Sequence, residues 1–579
     1  MKKTPAGNAT IVEVRSDRFF SSTPARLLVF ALCLTALFLI ANRGAYRGFF
    51  AEDDLDNIAN ARGAELSYYA QTLVKPVIAR DSIFRPVPAL YYWVMARAAD
   101  LRFTPYVSVI QAIHLANVLL MFLVARALGA ARIGASAAAA FFAFHAAVFT
   151  VFWRPMYVFD LICATFCLLT LLSYIRGPLL LSIVFFWLAL KSKELAVFLP
   201  VALVAFEWSF EKRRWLRVAP FLGISALFGI WALIYNVGRD SPYSLRFTPA
   251  AVWTCVEYYA PKLVLASTWT GLAALAAIFL FAKNRLVRVG LVTFFSLMLV
   301  LLVLPGRVAG AYLYAPFIGL GIAISAVARP LWLAVFFALW IPWNYRQLRI
   351  DRKIELSAAD ERRAWFTPVA AFMKQNPEAD TFVYQDRPET LADFGVTGAL
   401  KSLRPVERPP VVVAADSPDA NAALAKPHSV VLAWNPDLHV LHVLPREPDR
   451  PYLRLDRTTP LWQLGEGWME ANAAFRWMSP HAVARLSRPV DARVLEISIY
   501  VPELYTNAVH DGRLVVSLNR APIGSVALDK ADTITLRFAT PRTLPDPVQV
   551  ELDVAPPLKD PGGSPKLYGI PIVAFGFKP

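Results

Sequence analysis

Apolar runs of membrane-spanning length recur along the first 345 residues and then stop. Eleven are read, centred on residues 27–42, 106–127, 135–152, 157–175, 178–191, 194–210, 217–237, 263–282, 286–304, 312–328 and 331–345. A bilayer core about 30 Å thick needs a helix of roughly 20 apolar residues. The pattern therefore predicts an α-helical polytopic membrane domain of about 11 transmembrane helices. A longer polar stretch, roughly residues 43–105, separates the first two runs.

After residue 345 the periodicity changes twice. Residues 350–375 carry a helical pattern, IELSAADERRAWFTPVAAFMK among them. Residues 376–460 hold Pro-rich turns and short runs such as VVVAA and VVLAW, which predict a small α/β element. From about residue 461 short alternating strings follow at regular spacing: VLEISIYV, RLVVSLN, SVALD, TITLRFA, VQVELDV and IPIVAFGF. Gly, Pro and Asp separate them, which predicts an antiparallel β-sandwich. The expected domains are thus 1–345, 346–460 and 461–579. Trp462, Trp468 and Trp477 are candidates for stacking on sugar rings in that last domain, with core filling as the competing use.

Composition sharpens this picture. Of 579 residues 57% are hydrophobic and 18% charged, against about 25% charged in soluble domains, so neither one soluble domain nor a disordered chain fits. The net charge is +16, but residues 346–579 hold 28 basic and 28 acidic residues, whereas residues 1–345 hold 31 and 15. The excess therefore lies among the spans. There it follows the positive-inside rule and needs no nucleic-acid partner. Lys2, Lys3, Arg15, Arg18, Arg26, Arg126, Arg132, Arg176, Lys212–Arg214, Arg217, Lys283, Arg285, Arg288 and Arg329 mark one side as the cytoplasm. The first run reads as an uncleaved signal anchor with a cytoplasmic N-terminus, and the C-terminal domain as extracytoplasmic. Four cysteines, three of them in apolar runs, predict no disulfide framework.

Seven of the 15 acidic residues before residue 346 fall in the first long loop, and four crowd into AEDDLDN. Such closely spaced carboxylates resist ionising together unless something offsets them. Three readings compete: Asp53 or Asp54 capping a helix through IANARGAEL, a divalent metal at the D-x-D pair Asp54 and Asp56, or a catalytic carboxylate at the membrane surface. Arg85, beside an aromatic stretch, is a candidate for bidentate phosphate binding, with snorkelling as its alternative. His114 and Asn117 share one face of the second run and line either a cavity or a helix contact. Arg154 and Asp160 bound another outward loop, where they pair with each other or line a cavity. Lys191, Lys193 and Glu194 stand on the outer side, against the positive-inside trend. Residues 239–262 are read as another outer loop, and Arg307 precedes Tyr312, again outward. One acidic loop and several basic loops on one side suit group transfer from a phosphate-linked lipid donor to an alcohol.

The chain resembles the polytopic GT-C glycosyltransferases, and most of all the bacterial relatives of protein O-mannosyltransferases. FFAEDDLDN, FRPVPALYYW, YVSVIQAIHLANVLL, FWRPMYVFDL, LKSKELAVFLP and AYLYAPFIGLGIA carry the likeness, in the family's order, over roughly residues 26–330. The resemblance implies a GT-C-like fold, a polyprenyl-phosphate sugar donor, and an acceptor hydroxyl on a glycan, lipid or protein. It also implies a bacterial inner membrane and an acidic pair falling on Asp53 and Asp54. The family often has Glu at the second position, and Asp56 is an additional acid here. By that analogy Asp53 is the general base of an inverting displacement, Asp54 assists, and Arg85, Lys193 and Arg307 meet the donor phosphate. The resemblance leaves metal dependence open. The competing functional classes are a transporter or lipid flippase, and a non-catalytic scaffold displaying a sugar-binding domain.

Overall fold

The structure is a computed structural model that describes residues 24–75, 85–236 and 242–578. Lys2, Lys3, Arg15, Arg18 and Asp81 lie outside the described residues. In chain order the helices up to residue 375 are α1 (Pro24–Ala41), α2 (Asp53–Gly63), α3 (Leu66–Val74), α4 (Pro86–Ala98), α5 (Phe103–Ala127), α6 (Arg132–Phe144), α7 (Val158–Arg176), α8 (Leu179–Leu190), α9 (Leu199–Ser209), α10 (Trp215–Asn236), α11 (Pro249–Val264), α12 (Thr268–Phe279), α13 (Arg285–Met298), α14 (Phe317–Ile324) and α15 (Pro330–Gln375). The chain divides into two compact units. The first comprises residues 1–48, 66–91 and 101–354; the second comprises 49–65, 92–100 and 355–579.

The first unit is helical. Among the described residues four helical stretches are long and apolar enough to cross a membrane: Leu28–Arg47, Phe103–Ala127, Pro155–Arg176 and Arg285–Val303. Two bent pairs raise that to six if each is one span: α6 with Ala146–Phe152, bent by 67°, and α11 with α12, bent by 72°. The count of eleven spans is not reproduced by length and apolarity among the described residues. Helices α8, α9 and α14 have 12, 11 and 8 residues, too few at about 1.5 Å per residue to cross about 30 Å alone. Residues 239–262, expected as an outer loop, contain most of α11. The polarity is that of helices in lipid: Leu28, Ile40 and Leu119 are exposed, while His114 and Asn117 are fully buried. Helices α13 and α14 meet backbone to backbone. A Cβ on Gly290 would lie 2.6 Å from the Gly319 carbonyl oxygen, the close approach that small residues permit between apolar helices.

Helix α15 runs unbroken for 46 residues, joining the last apolar run to the polar helix expected at 350–375. Backbone hydrogen bonds do not register the change from apolar to polar side chains, so the end of a hydrophobic run need not be the end of a helix.

The second unit continues with β1 (Thr381–Gln385), α16 (Asp393–Ser402), β2 (Val411–Ala414), α17 (Ala420–Leu424), β3 (Ser429–Asn435), β4 (Val440–Pro445) and β5 (Tyr452–Arg454). Strands β2, β1 and β3 are parallel and β4 closes the sheet as an antiparallel hairpin, in the order β2-β1-β3-β4. Then come β6 (Trp468–Ala471), β7 (Arg476–Met478), β8 (His481–Leu486), β9 (Val494–Val501), β10 (Arg513–Leu518), β11 (Ala521–Ala527), β12 (Asp532–Ala539), β13 (Val548–Ala555), β14 (Leu558–Lys559), β15 (Leu567–Tyr568) and β16 (Pro571–Lys578). They form sheets β11-β10-β13-β8 and β12-β9-β16-β7-β6, with β5 beside β16. The alternation that betrays these strands is visible in β13, whose residues are buried at every second position. One apolar cluster runs from Val383 and Val431 through Leu453 to Ile497, Leu552 and Phe575, so the parallel sheet and the sandwich share a core. Trp462 and Trp468 belong to that packing. The indole N–H of Trp468 donates to the Val483 carbonyl at 2.6 Å and its ring stacks on Phe575, which leaves core filling as its role.

Candidate functional site

The acidic motif forms the N-terminus of α2. Asp53 is its first residue and is half-buried; Asp54 is fully buried. The expected cap is displaced by one residue. Glu52 is the N-cap and makes no side-chain cap bond, while Asp54 reaches back to the chain entering the helix. Its Oδ2 accepts from the Ala51 N–H at 2.8 Å, and the Asp54 N–H donates to the Ala51 carbonyl at 2.8 Å, a reciprocal pair like that of a capping box. Its Oδ1 accepts from the Tyr92 hydroxyl at 2.8 Å. Side chains two apart on a helix diverge, so Asp56 points elsewhere and accepts from Asn60 at 2.9 Å. Among the described residues no three His, Cys, Asp or Glu side chains gather as a metal site.

Glu52 holds a positive φ of 34°, a conformation costly for a residue with a Cβ and maintained only where the surroundings enforce it. Two parts of the second unit provide that enforcement. Arg362 of α15, 2% exposed, donates from Nε to the Phe50 carbonyl at 2.9 Å and from Nη2 to Glu355 at 3.1 Å. Helix α16 lies against α2 through Gly398, where a Cβ would stand 2.8 Å from the Asp56 backbone nitrogen. At the other end of α2, Arg97 donates to the carbonyls of Ala61 and Ala64, and Arg62 bonds the Ser402 carbonyl and Asp100. These cations suit the negative end of the helix dipole. None of Tyr92, Arg362 or Gly398 stands out in the sequence, because their significance is their proximity to α2.

Burial pushes the Asp54 carboxyl up to about 7. The Ala51 N–H and the Tyr92 hydroxyl pull the other way, Asp53 adds to the rise, and Arg362 lowers it. Below about pH 7 the folded chain holds this proton, while the unfolded chain releases it near pH 4. The folded state thus binds the extra proton between those values, and its stability falls as pH rises through that window. Asp54→Asn cannot ionise. We expect its stability relative to wild type to rise by about 1.4 kcal/mol per pH unit between about pH 5 and 7, then to level. Thermal unfolding of both proteins across that range tests this; a constant difference would remove Asp54 as the titrating group.

A second cluster forms within the first unit. Arg85 grips Glu194 with two hydrogen bonds, that from Nε being 3.0 Å. Lys193 donates to Asp160 at 2.6 Å, both nearly buried, and its ammonium lies 3.9 Å from the centre of the Tyr312 ring. Arg307 bonds the Tyr243 hydroxyl, its guanidinium 4.3 Å from that ring, and Tyr312 stands within electrostatic reach of Asp160, Arg307, Tyr243 and Arg85. Six residues singled out in the sequence therefore converge: Arg85, Asp160, Lys193, Glu194, Arg307 and Tyr312. Among these six residues are three cations and two carboxylates. The pairing of Arg154 with Asp160 is corrected, since Lys193 takes that carboxylate.

Lys191, expected on the outer side together with Lys193, also finds a structural reason. Lys191 donates to the carbonyls of Thr72 at 3.0 Å and Lys75 at 2.7 Å, satisfying orphan acceptors at the C-terminal end of α3. His114 bonds the Tyr314 hydroxyl at 2.8 Å and the Ala143 carbonyl at 3.2 Å; Asn117 donates to the Leu161 carbonyl at 3.0 Å and to Tyr314 at 3.2 Å. Both thus tie α5 to neighbouring segments. The Lys193–Asp160 pair sets up a further prediction. Lys193→Leu alone strands a buried carboxylate and should cost about 3 kcal/mol, whereas Lys193→Leu with Asp160→Leu should lie close to wild type. Denaturant unfolding of the two variants measures this; equal losses would mean the ion pair is not what the single change disrupts.

No protein-family model and no curated protein sequence matches the chain. Among solved structures it is similar to the mycobacterial arabinofuranosyltransferase AftD, with a TM-score of 0.37 and 13% identity over 95% of this chain. It is also similar to the arabinosyltransferase EmbB of Mycobacterium smegmatis, with a TM-score of 0.31 and 12% identity over 98% of this chain. The chain spans 60% and 66% of the length of those two proteins.

Proposed function

We propose that this chain is a polytopic membrane glycosyltransferase of the GT-C type. It transfers a sugar from a polyprenyl-phosphate donor to an acceptor hydroxyl at the outer face of a bacterial inner membrane. The observation that carries the reading is the division of labour at the start of α2. Asp54 is sealed under Tyr92 with both oxygens bonded, while Asp53 stands beside it, half-buried, at the helix N-terminus. Two neighbouring carboxyls in different surroundings are suited to different roles. The helix dipole favours a negative charge on Asp53, the form a base requires.

In this reading Asp53 takes the proton of the acceptor hydroxyl, whose oxygen attacks the anomeric carbon of the donor sugar. The bond from that carbon to the phosphate oxygen breaks as the new glycosidic bond forms, with inversion. The electron pair leaves on the lipid phosphate. Asp54 is a positioning residue: it fixes the first turn of α2 through Ala51. Arg85, Lys193 and Arg307 of the first unit are the candidates for the donor phosphate that the resemblance implies. The ordered motifs over roughly residues 26–330 and the apolar helices support the same reading.

The test is transfer itself. Membranes holding the chain are supplied with polyprenyl-phosphate carrying a labelled sugar, and label leaving the lipid is followed. Transfer above membranes lacking the chain is expected. No transfer across several sugars, with the chain present and folded, would favour the transporter or scaffold instead.

A further inference from the structure

A second polar centre lies in the second unit, at the carboxyl end of the parallel sheet. Strand β1 ends at Gln385. From there the chain leaves toward β2 on one side, while β3 on the other side turns back into β4. The crevice beyond the carboxyl ends of parallel strands, where connections diverge in this way, is where open α/β sheets receive ligands. Val383 and Gln385 share a face of β1, and Val383 packs in the core common to the sheet and the sandwich. Gln385 is therefore aimed at the sandwich, and Arg476 of β7 meets it there. Both residues are 4% exposed.

The bonds of this centre are incomplete. Arg476 donates from Nη2 to the Gln385 side-chain oxygen at 2.9 Å and from Nη1 to the Met469 carbonyl at 2.8 Å. Both acceptors are neutral. A buried guanidinium ordinarily sits against a carboxylate, because its charge is costly to desolvate. Burial accordingly pulls the Arg476 pKa down to about 10. The carboxylates of Asp386, Asp456 and Glu470 stand within electrostatic reach of Arg476 without bonding it, and Arg457, itself bonded to Asp386, opposes its charge. Three donors of this one cluster are buried without a hydrogen-bond partner: Gln385 Nε2, Arg457 Nε and Arg476 Nε. Most buried donors in native proteins are paired, so three unpaired ones in a single cluster call for an acceptor. Asp386, the next residue, holds a positive φ of 57°, and both it and Arg457 keep partial exposure, giving the centre an open side.

We infer that Gln385, Arg457 and Arg476 form a binding site for a compact oxyanion, a carboxylate or phosphate group carried by a glycan or lipid. Such a group has enough acceptor oxygens for all three donors, and it would give Arg476 the charged hydrogen-bond acceptor that Gln385 and Met469 do not supply. This site is built from the α/β element and the sandwich together, and its assignment does not depend on the transfer reaction.

The experiment uses the full chain in detergent, with thermal unfolding measured against glucuronate, inorganic phosphate, and glucose as the neutral control. Glucuronate or phosphate is expected to raise the Tm by about 2–4 °C near saturation, and glucose to leave it unchanged. Which anion acts identifies the group. Arg476→Met removes the central charge and should abolish the shift. Because that variant also loses the bonds to Gln385 and Met469, Gln385→Glu provides an independent check: it keeps an acceptor for Arg476 but removes the amide donor and places a carboxylate in the site. It should fold, unfold at or above the wild-type Tm, and lose the anion shift. A wild-type shift absent for both anions, equal for glucose, or retained in Gln385→Glu would overturn the site.

Discussion

Replacing Asp53 with Asn is expected to cut sugar transfer by about 10²–10⁴-fold, the range over which a general base contributes. Asn has nearly the same shape, so α2 keeps its first turn. Asp54, Ala51 and Arg362 contribute bonds that fix that turn, and Gly398 packs closely against it. A fall in kcat with unchanged donor binding is therefore the signature of a lost proton acceptor. The comparison with Asp54→Asn is decisive, because that change keeps an oxygen able to accept from Ala51 or Tyr92. Its effect on transfer should be much smaller and should follow the stability of the turn. Transfer by Asp53→Asn equal to wild type would take Asp53 out of the chemistry and direct attention to Asp54 and Asp56.

The second large effect is on stability. Arg362→Leu should destabilise the second unit by about 3–5 kcal/mol. The change leaves Glu355 buried without its cation, and the Phe50 carbonyl loses a charged donor. The second consequence falls on the segment that leads into Glu52, whose positive φ needs rigid surroundings. Arg362→Lys should recover only part of the loss, since an ammonium cannot reproduce the two-directional fork. Unfolding by denaturant, followed by tryptophan fluorescence of the full chain, measures this. A loss under about 1 kcal/mol would mean that Arg362 does not hold the acidic turn.

The reading of the linear chain succeeded where the determining forces are local. All six alternating strings after residue 461 lie on strands, because a strand with one buried face must alternate. The helix at 350–375 followed from its own periodicity. It failed where length or partnership decides. Residues 249–264 are amphipathic enough to pass for a loop, yet they form α11, which turns through 72° into α12. Lys191 and Lys193 looked out of place by the positive-inside trend, and three-dimensional partners account for both.

The same division holds for the candidate site. The sequence by itself determined that carboxylates crowd at the head of one helix and that cations gather in loops between apolar runs. Composition, charge placement and helical phase are properties of the chain alone. Tertiary structure decided that Asp54 is the sealed carboxyl. That depends on Tyr92 lying 38 residues away from Asp54, and on Arg362 lying 312 residues from Phe50. It likewise decided that Arg85 and Lys193 carry counter-charges from Glu194 and Asp160. Burial and long-range pairing set the energy of a charge, and neither is written in its neighbours along the chain.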